Sequence, residues 1–408
     1  MGGNAAGLAD LNEPAFAEQK VAPKWDRFAH WPQARARLAL AVLLGMLLVA
    51  AWAPGMSPPP PPAPDVQMQA VGPGAGAASA AGAGDSDAKD NDLRLYRLIT
   101  ERVRQSDDYY AAAVELQRAN DYPVKPGLTV RPPTLAFATV LLGPIGVALA
   151  EIALVAGIIL SNFRRFASEP GGMHFRLFAI ALLFVGMANG LHYPFLVLHE
   201  VWAAELMALS FGLHRPRAAG DPDGRWLGAL LAAAAALSIR ELALPFVLLM
   251  AAYAAWRRNW REAAAWVALI ALFVGAMAVH LHLADAQMRP GDPSSPPWLV
   301  FGGLQGWLYK VINASSLTLL PTLIAGPLVI LAVFGWTGWR SAAGDFAALL
   351  VLGYGLAFMI AGRDNNFYWG VIITPILFMG FAMVPFAAGS LWQRATGRAV
   401  PWMREQAT

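Results

Sequence analysis

From residue 38 onward the chain is a succession of apolar runs, each approaching the thickness of a lipid bilayer, separated by short polar turns. About 20 apolar residues cross the hydrocarbon core as a helix, and in that solvent only helices or closed barrels satisfy the backbone. The runs cover 38–53, 145–161, 174–190, 199–213, 226–239, 242–256, 263–281, 317–336, 346–361 and 368–391. They predict an all-α polytopic membrane protein of about ten transmembrane helices. Only 14% of the residues are charged and 57% are hydrophobic, where a soluble chain carries about a quarter charged. Fifteen Trp and nine Tyr suit an interface belt. The absence of Cys excludes disulfides and thiolate metal sites. A net charge of +3 is too small to imply nucleic acid.

Alternating ten spans places Arg164, Arg165, Arg215, Arg217, Arg257, Arg258, Arg261, Arg340, Arg394 and Arg398 on one side, with the N-terminus. Basic residues concentrate on the cytoplasmic side, so segment 1–37 and the tail 394–408 are expected there. Ala51-Trp52-Ala53 resembles a signal-peptidase site, but the long preceding segment and Pro54 predict an uncleaved anchor at 38–53. Residues 54–92 are rich in Pro, then in Gly and Ala, and end in an acidic patch (Asp85, Asp87, Asp90, Asp92), which predicts a disordered linker. Within the outer loop 93–133, Leu95, Tyr96, Ile99 and Val103 share a helical face against Arg94, Arg97, Arg102 and Arg104. That pattern predicts an amphipathic helix lying on the membrane, followed by a second helix over 107–120. The transmembrane domain, 134–393, opens with a short apolar piece closed by Gly143-Pro144 that dips into the bilayer, and 298–311 reads as another interfacial helix.

The polar groups expected to carry chemistry lie in the outer loops. Ser106-Asp107-Asp108-Tyr109-Tyr110 opens the second loop helix, and Glu115 and Arg118 share a face with Asp108. Acids cap helices well, so one of the two aspartates caps this helix and the other is left as a general base. Arg240, Arg131, Lys310 and Arg363 are the cations available on that side, suited to a phosphate. Glu241 follows Arg240 in a tight turn, where an ion pair is expensive to place without a use. His199 and Glu200 end a short loop begun by His192, and are placed to orient a substrate or to bind a divalent cation with Asp107 or Asp108. His280 and His282 read as interface histidines. Glu151 and Glu205 lie within spans, where an ionisable residue is a functional candidate.

A first outer loop with amphipathic helices and an acidic motif, a Pro-bounded return (Arg131-Pro132-Pro133-Thr134) and many spans resembles the GT-C superfamily of polytopic glycosyltransferases. Leu237-Ser238-Ile239-Arg240-Glu241-Leu242 resembles the Arg-Pro-Glu-type turn of several of its families, with the Pro absent. The resemblance covers the layout from residue 38, and its motifs amount to Asp107-Asp108 and Arg240-Glu241. It implies an inner-membrane enzyme, facing the periplasm, that moves a sugar from polyprenyl phosphate to a glycan, lipid or protein acceptor with inversion. Asp108, or failing that Asp107, is then the base. Arg240, Glu241, Arg363, Arg131, Tyr109, Tyr110, Glu115, Arg118, His199 and Glu200 bind substrate. No cofactor is required, a divalent cation being the one candidate. A lipid-linked glycan flippase with Glu151 and Glu205 on its path, or a non-catalytic assembly subunit, is the competing reading. High Ala, Gly and Arg content points to a bacterial source.

Overall fold

The computed structural model describes residues 23–53, 84–188, 190–215 and 225–398, and the side chains of all of these except 84–91, 364 and 365. Most of the expected linker and the outer part of both terminal segments lie outside the described residues. So do Arg217 and the side chains of Asp85, Asp87 and Asp90. Among the described residues there is no strand, and three isolated bridges join loops.

The helices are α1 (Gln33–Trp52), α2 (Gly84–Arg104), α3 (Tyr109–Ala119), α4 (Thr134–Ser168), α5 (Arg176–Gly186), α6 (His199–Leu213) and α7 (Leu227–Ile239). They continue as α8 (Leu244–Trp256), α9 (Trp260–Asp285), α10 (Gly303–Asn313), α11 (Thr322–Gly338), α12 (Ala342–Ile360), α13 (Thr374–Met379) and α14 (Val384–Thr396). Five stretches are long and apolar enough to cross a membrane: Gln33–Trp52, Gly127–Ser168, Trp260–Asp285, Ala342–Ile360 and Thr374–Thr396. Arg176–Gly186, Leu227–Ile239, Glu241–Trp256 and Thr322–Gly338 are apolar but shorter. Helix α6 is buried on nearly every side, between α4, α7 and α13.

Glycine and proline set the interruptions. Gly143 adopts φ 65° and ψ 176° in α4, immediately before Pro144. Proline lacks the N–H of the helical ladder, and its ring clashes with the preceding turn, so the short piece from Thr134 is set off from the rest of α4. The run at 368–391 is not one helix. It begins in a 3-10 stretch (Asp364–Ile372), continues as α13, passes a 3-10 turn (Gly380–Met383) and ends as α14, with a proline near the start of each helix. At Gly380 the chain packs backbone to backbone on α11. A Cβ there would stand 2.1 Å from Ala332 O, and one on Gly335 would stand 1.9 Å from Gly380 O.

The two loop helices are real, with shifted bounds. Helix α2 starts at Gly84, so Asp92 belongs to it rather than to the linker. Its face of Leu95, Ile99 and Val103 packs with Tyr109, Ala113 and Val114 of α3 over Val130, Ala136 and Ala284. Helix and loop are pinned there by hydrogen bonds: Tyr109 OH donates to Arg131 O (2.8 Å), and Gln117 Nε2 donates to Thr129 O (3.2 Å). His280 donates from Nε2 to Val130 O (3.0 Å), leaving Nδ1 to accept from Tyr110 OH (3.2 Å). In the segment expected to form an interfacial helix over 298–311, α10 starts only at Gly303.

At the opposite end of the bundle, residues 23–31 are fastened to the last helices. Arg27 N donates to Gly338 O (3.0 Å), Arg340 N donates to Trp25 O (2.8 Å), Arg27 pairs with Asp345, and Ser390 Oγ donates to Asp26.

Candidate active site

The α2–α3 layer closes over a cavity of about 540 Å³. Helix α2 contributes Asp92 and Tyr96, the segment after α3 contributes Tyr122 and Arg131, and the turn between α7 and α8 contributes Glu241 and Leu242. Trp298, Arg363, Phe367, Tyr368 and Trp369 complete the wall. Asp92 precedes Tyr96 by one helical turn, so the two share a face.

Below this wall runs a chain of buried charge. Arg240 is fully buried; its Nε donates to Glu200 Oε1 at 2.6 Å and its Nη1 pairs with Glu241. Arg131 Nη2 lies 3.9 Å from the same Glu200 oxygen, and Arg131 Nε donates to Tyr96 OH at 3.1 Å. The His199 ring lies edge-on to Tyr96 at 5.1 Å between centroids. Helix α6 positions His199 and Glu200 by presenting both at its first turn. On the far wall, Arg363 Nη2 donates to Ser295 Oγ at 3.4 Å while its Nε has no partner among the described residues.

Burial pushes the Asp92 carboxyl above the ordinary aspartate range, against the opposing effects of the Tyr122 hydroxyl, which donates to it, and of Arg131. A carboxylate of raised basicity, half-buried beside guanidinium groups, is suited to take a proton from a hydroxyl whose oxygen is attacking a neighbour. Arg131 and Arg363 are suited to an anionic group, since a guanidinium offers paired donors in one plane.

Of the residues expected to act, the structure brings Arg240, Glu241, Arg131, Arg363, His199 and Glu200 together at or beneath this cavity. It does not bring the acidic motif there. Asp108 caps α3, its Oδ1 accepting from Ala111 N at 2.9 Å. Asp107 pairs with Arg102, which also reaches Glu115 at 3.2 Å on the exposed side. Arg118 forks onto Asp292 at 2.5 and 2.9 Å, tying α3 to the loop after α9. Tyr109 and Tyr110 serve the packing and hydrogen bonds given above. The helix thus begins two residues later than the expected start near Asp107, and the face of Asp108, Glu115 and Arg118 points away from the cavity. His192 and His282 are exposed.

Asp92, Tyr96, Tyr122 and Tyr368 escaped the sequence reading as site residues. The available signal was Asp92-x-x-x-Tyr96 on the amphipathic helix, obscured because Asp92 also ends an acidic tract. Among the described residues no group of three or more His, Asp or Glu stands together as a metal site. No protein-family model, curated protein or solved structure matches the chain.

Proposed function

We propose that the protein is a membrane glycosyltransferase of the polyprenyl-phosphate-dependent type, with Asp92 as its general base. The acceptor hydroxyl gives its proton to Asp92 as its oxygen bonds to the anomeric carbon. The bond from that carbon to the phosphate oxygen breaks, and polyprenyl phosphate departs with the electron pair. Arg131 and Arg363 hold the phosphate as its charge grows. Arg240, Glu200 and Glu241 fix the cation array from beneath, and Trp298, Phe367 and Trp369 give the sugar and the first isoprene units an apolar wall. The observation that carries this reading is the convergence of Asp92, Arg131 and Arg363 on one cavity. Asp107 and Asp108 become structural residues of the loop.

In this reading α1, α4 to α9, α11, α12 and the α13–α14 run are ten crossings of a bacterial inner membrane. Both termini are cytoplasmic and the cavity faces the periplasm. In support, the α2–α3 layer and the cavity share one end of the bundle, while Arg165, Arg215, Arg257, Arg340 and Arg394 lie at or beyond helix termini on the other.

The test is transfer of labelled sugar from a set of polyprenyl-phosphate donors by the purified full-length protein, wild type against Asp92→Asn, Asp107→Asn and Asp108→Asn. Loss of a base is worth about 10²- to 10⁴-fold. The expected result is that loss in Asp92→Asn, with near wild-type turnover in the other two, since Asn caps a helix as well as Asp at 108 and the part-exposed Asp107–Arg102 pair is worth little. Full activity of Asp92→Asn, or no transfer or donor hydrolysis by the wild type with any donor, overturns the proposal.

A further inference from the structure

Six acidic side chains are buried among the described residues: Asp26, Glu151, Glu200, Glu205, Glu262 and Asp292. Four of them meet donors. Asp26 accepts from Phe28 N and Ala29 N at 3.1 Å, and Glu200 accepts from Arg240. Glu262 takes His214 Nε2 at 2.7 Å, Asn259 Nδ2 at 2.8 Å and Trp266 Nε1 at 3.2 Å, and Asp292 takes the Arg118 fork. Glu151 and Glu205 meet only each other. No third described residue donates to any of their four carboxyl oxygens, and the one titratable group facing each is the other, through a side-chain hydrogen bond between them.

The pair lies where helices α4 and α6 pack, with Glu151 exposed by 6% and Glu205 by 1%. The turn after α5 covers it closely, for a Cβ on Gly190 would stand 1.8 Å from Glu205 Oε1. No described Arg, Lys or His reaches the pair from α4, from α6 or from that turn. Removing one carboxylate from water costs several kcal/mol even after relaxation. Two without a cation add mutual repulsion, which the low dielectric enlarges. Both cannot be ionised in this place.

We propose that Glu151 and Glu205 form a proton-binding site within the membrane domain, a carboxyl pair that retains at least one proton between α4 and α6. The ligand is the proton itself. When it leaves, the charge that remains draws in water or drives the helices apart, so α4–α6 packing responds to alkaline pH. The inference does not depend on the glycosyltransferase reading, because it uses neither the cavity nor Asp92.

The test is infrared spectroscopy of the full-length protein in lipid, wild type against Glu151→Gln/Glu205→Gln. Gln reproduces the shape of a protonated Glu. At pH 7, where an ordinary Glu with a pKa of about 4.3 is ionised, the wild type should show a protonated-carboxyl stretch missing from the variant. On raising the pH, the wild type should lose thermal stability that the variant keeps, since a proton held more tightly in the folded state stabilises only while it is bound. Identical spectra at pH 7, or parallel stability profiles, overturn the proposal. Should the double variant fail to fold, the wild type alone decides through modification by a membrane-permeant carbodiimide, which needs a protonated carboxyl. Labelling mapped to Glu151 or Glu205 supports the site, and its absence from both overturns it.

Discussion

Replacing Glu200 by Leu would leave Arg240 in place with one of its two carboxylates gone. Arg240 is fully buried, its Nη2 has no partner among the described residues, and its Nε has Glu200 Oε1 as its acceptor at 2.6 Å. Two unit charges about 4 Å apart at an effective dielectric of about 20 attract by about 4 kcal/mol. Breaking one side of a buried pair typically costs about 3–5 kcal/mol. The same range applies to Arg240→Met, which strands Glu200 with only the more distant Arg131. Replacing both partners removes both uncompensated charges, so Glu200→Leu/Arg240→Met should cost well under the sum of the two single changes. Tryptophan fluorescence during thermal unfolding of the purified protein reads all three, and the coupling should be favourable by at least about 1 kcal/mol. Additive costs would refute the reasoning, because they would mean that the two side chains do not compensate each other's charge. So would a harmless Glu200→Leu, which would mean that Arg240 is hydrated.

Three further outcomes are expected. Because Asp92 must be ionised to accept a proton and burial raises its pKa, sugar transfer should rise with pH through a limb above the ordinary aspartate value of about 3.9; a pH profile of kcat/KM with its limb at that value contradicts the assignment. The Arg118 fork holds Asp292 well below the usual carboxylate range, so its stabilisation is full above the unfolded value and fades as pH falls towards the depressed one. Hydrogen exchange in the 286–295 loop should therefore rise at acid pH, and Arg118→Met should show the same loosening at pH 7. Gly380→Ala places a Cβ 2.1 Å from Ala332 O, and overpacking of this kind costs about 1–3 kcal/mol, measurable as a lowered Tm.

The helical architecture was legible because hydropathy reports on the solvent of a helix, and in this chain that signal is strong from residue 38 onward. The breaks within 368–391 were not, since that run is as apolar as a span and the stops are single residues, Pro375, Gly380 and Pro385. At the site, Arg240-Glu241 stood out because charge in so apolar a surrounding is conspicuous. Asp107 and Asp108 were ambiguous for a physical reason: a carboxylate at a helix start is equally suited to capping and to chemistry, and only tertiary placement shows that Asp108 caps α3 and lies off the cavity. The joining of Arg131, Glu200 and Arg363 across long sequence separations has no local signature.

The fastening of Asp26 to Ser390 has a consequence for biosynthesis. The partners stand 364 residues apart, and a ribosome adding about 5–20 residues per second needs roughly 20 to 70 s to cover that distance. For that interval α1 lacks α11 and α14, the helices it chiefly packs against, and the apolar residues it later turns toward them are left uncovered by this chain. The first helix is therefore placed early and seated last. Any variant that slows or shortens the C-terminal helices should betray itself at the opposite end of the chain, as protease sensitivity around residues 23–31.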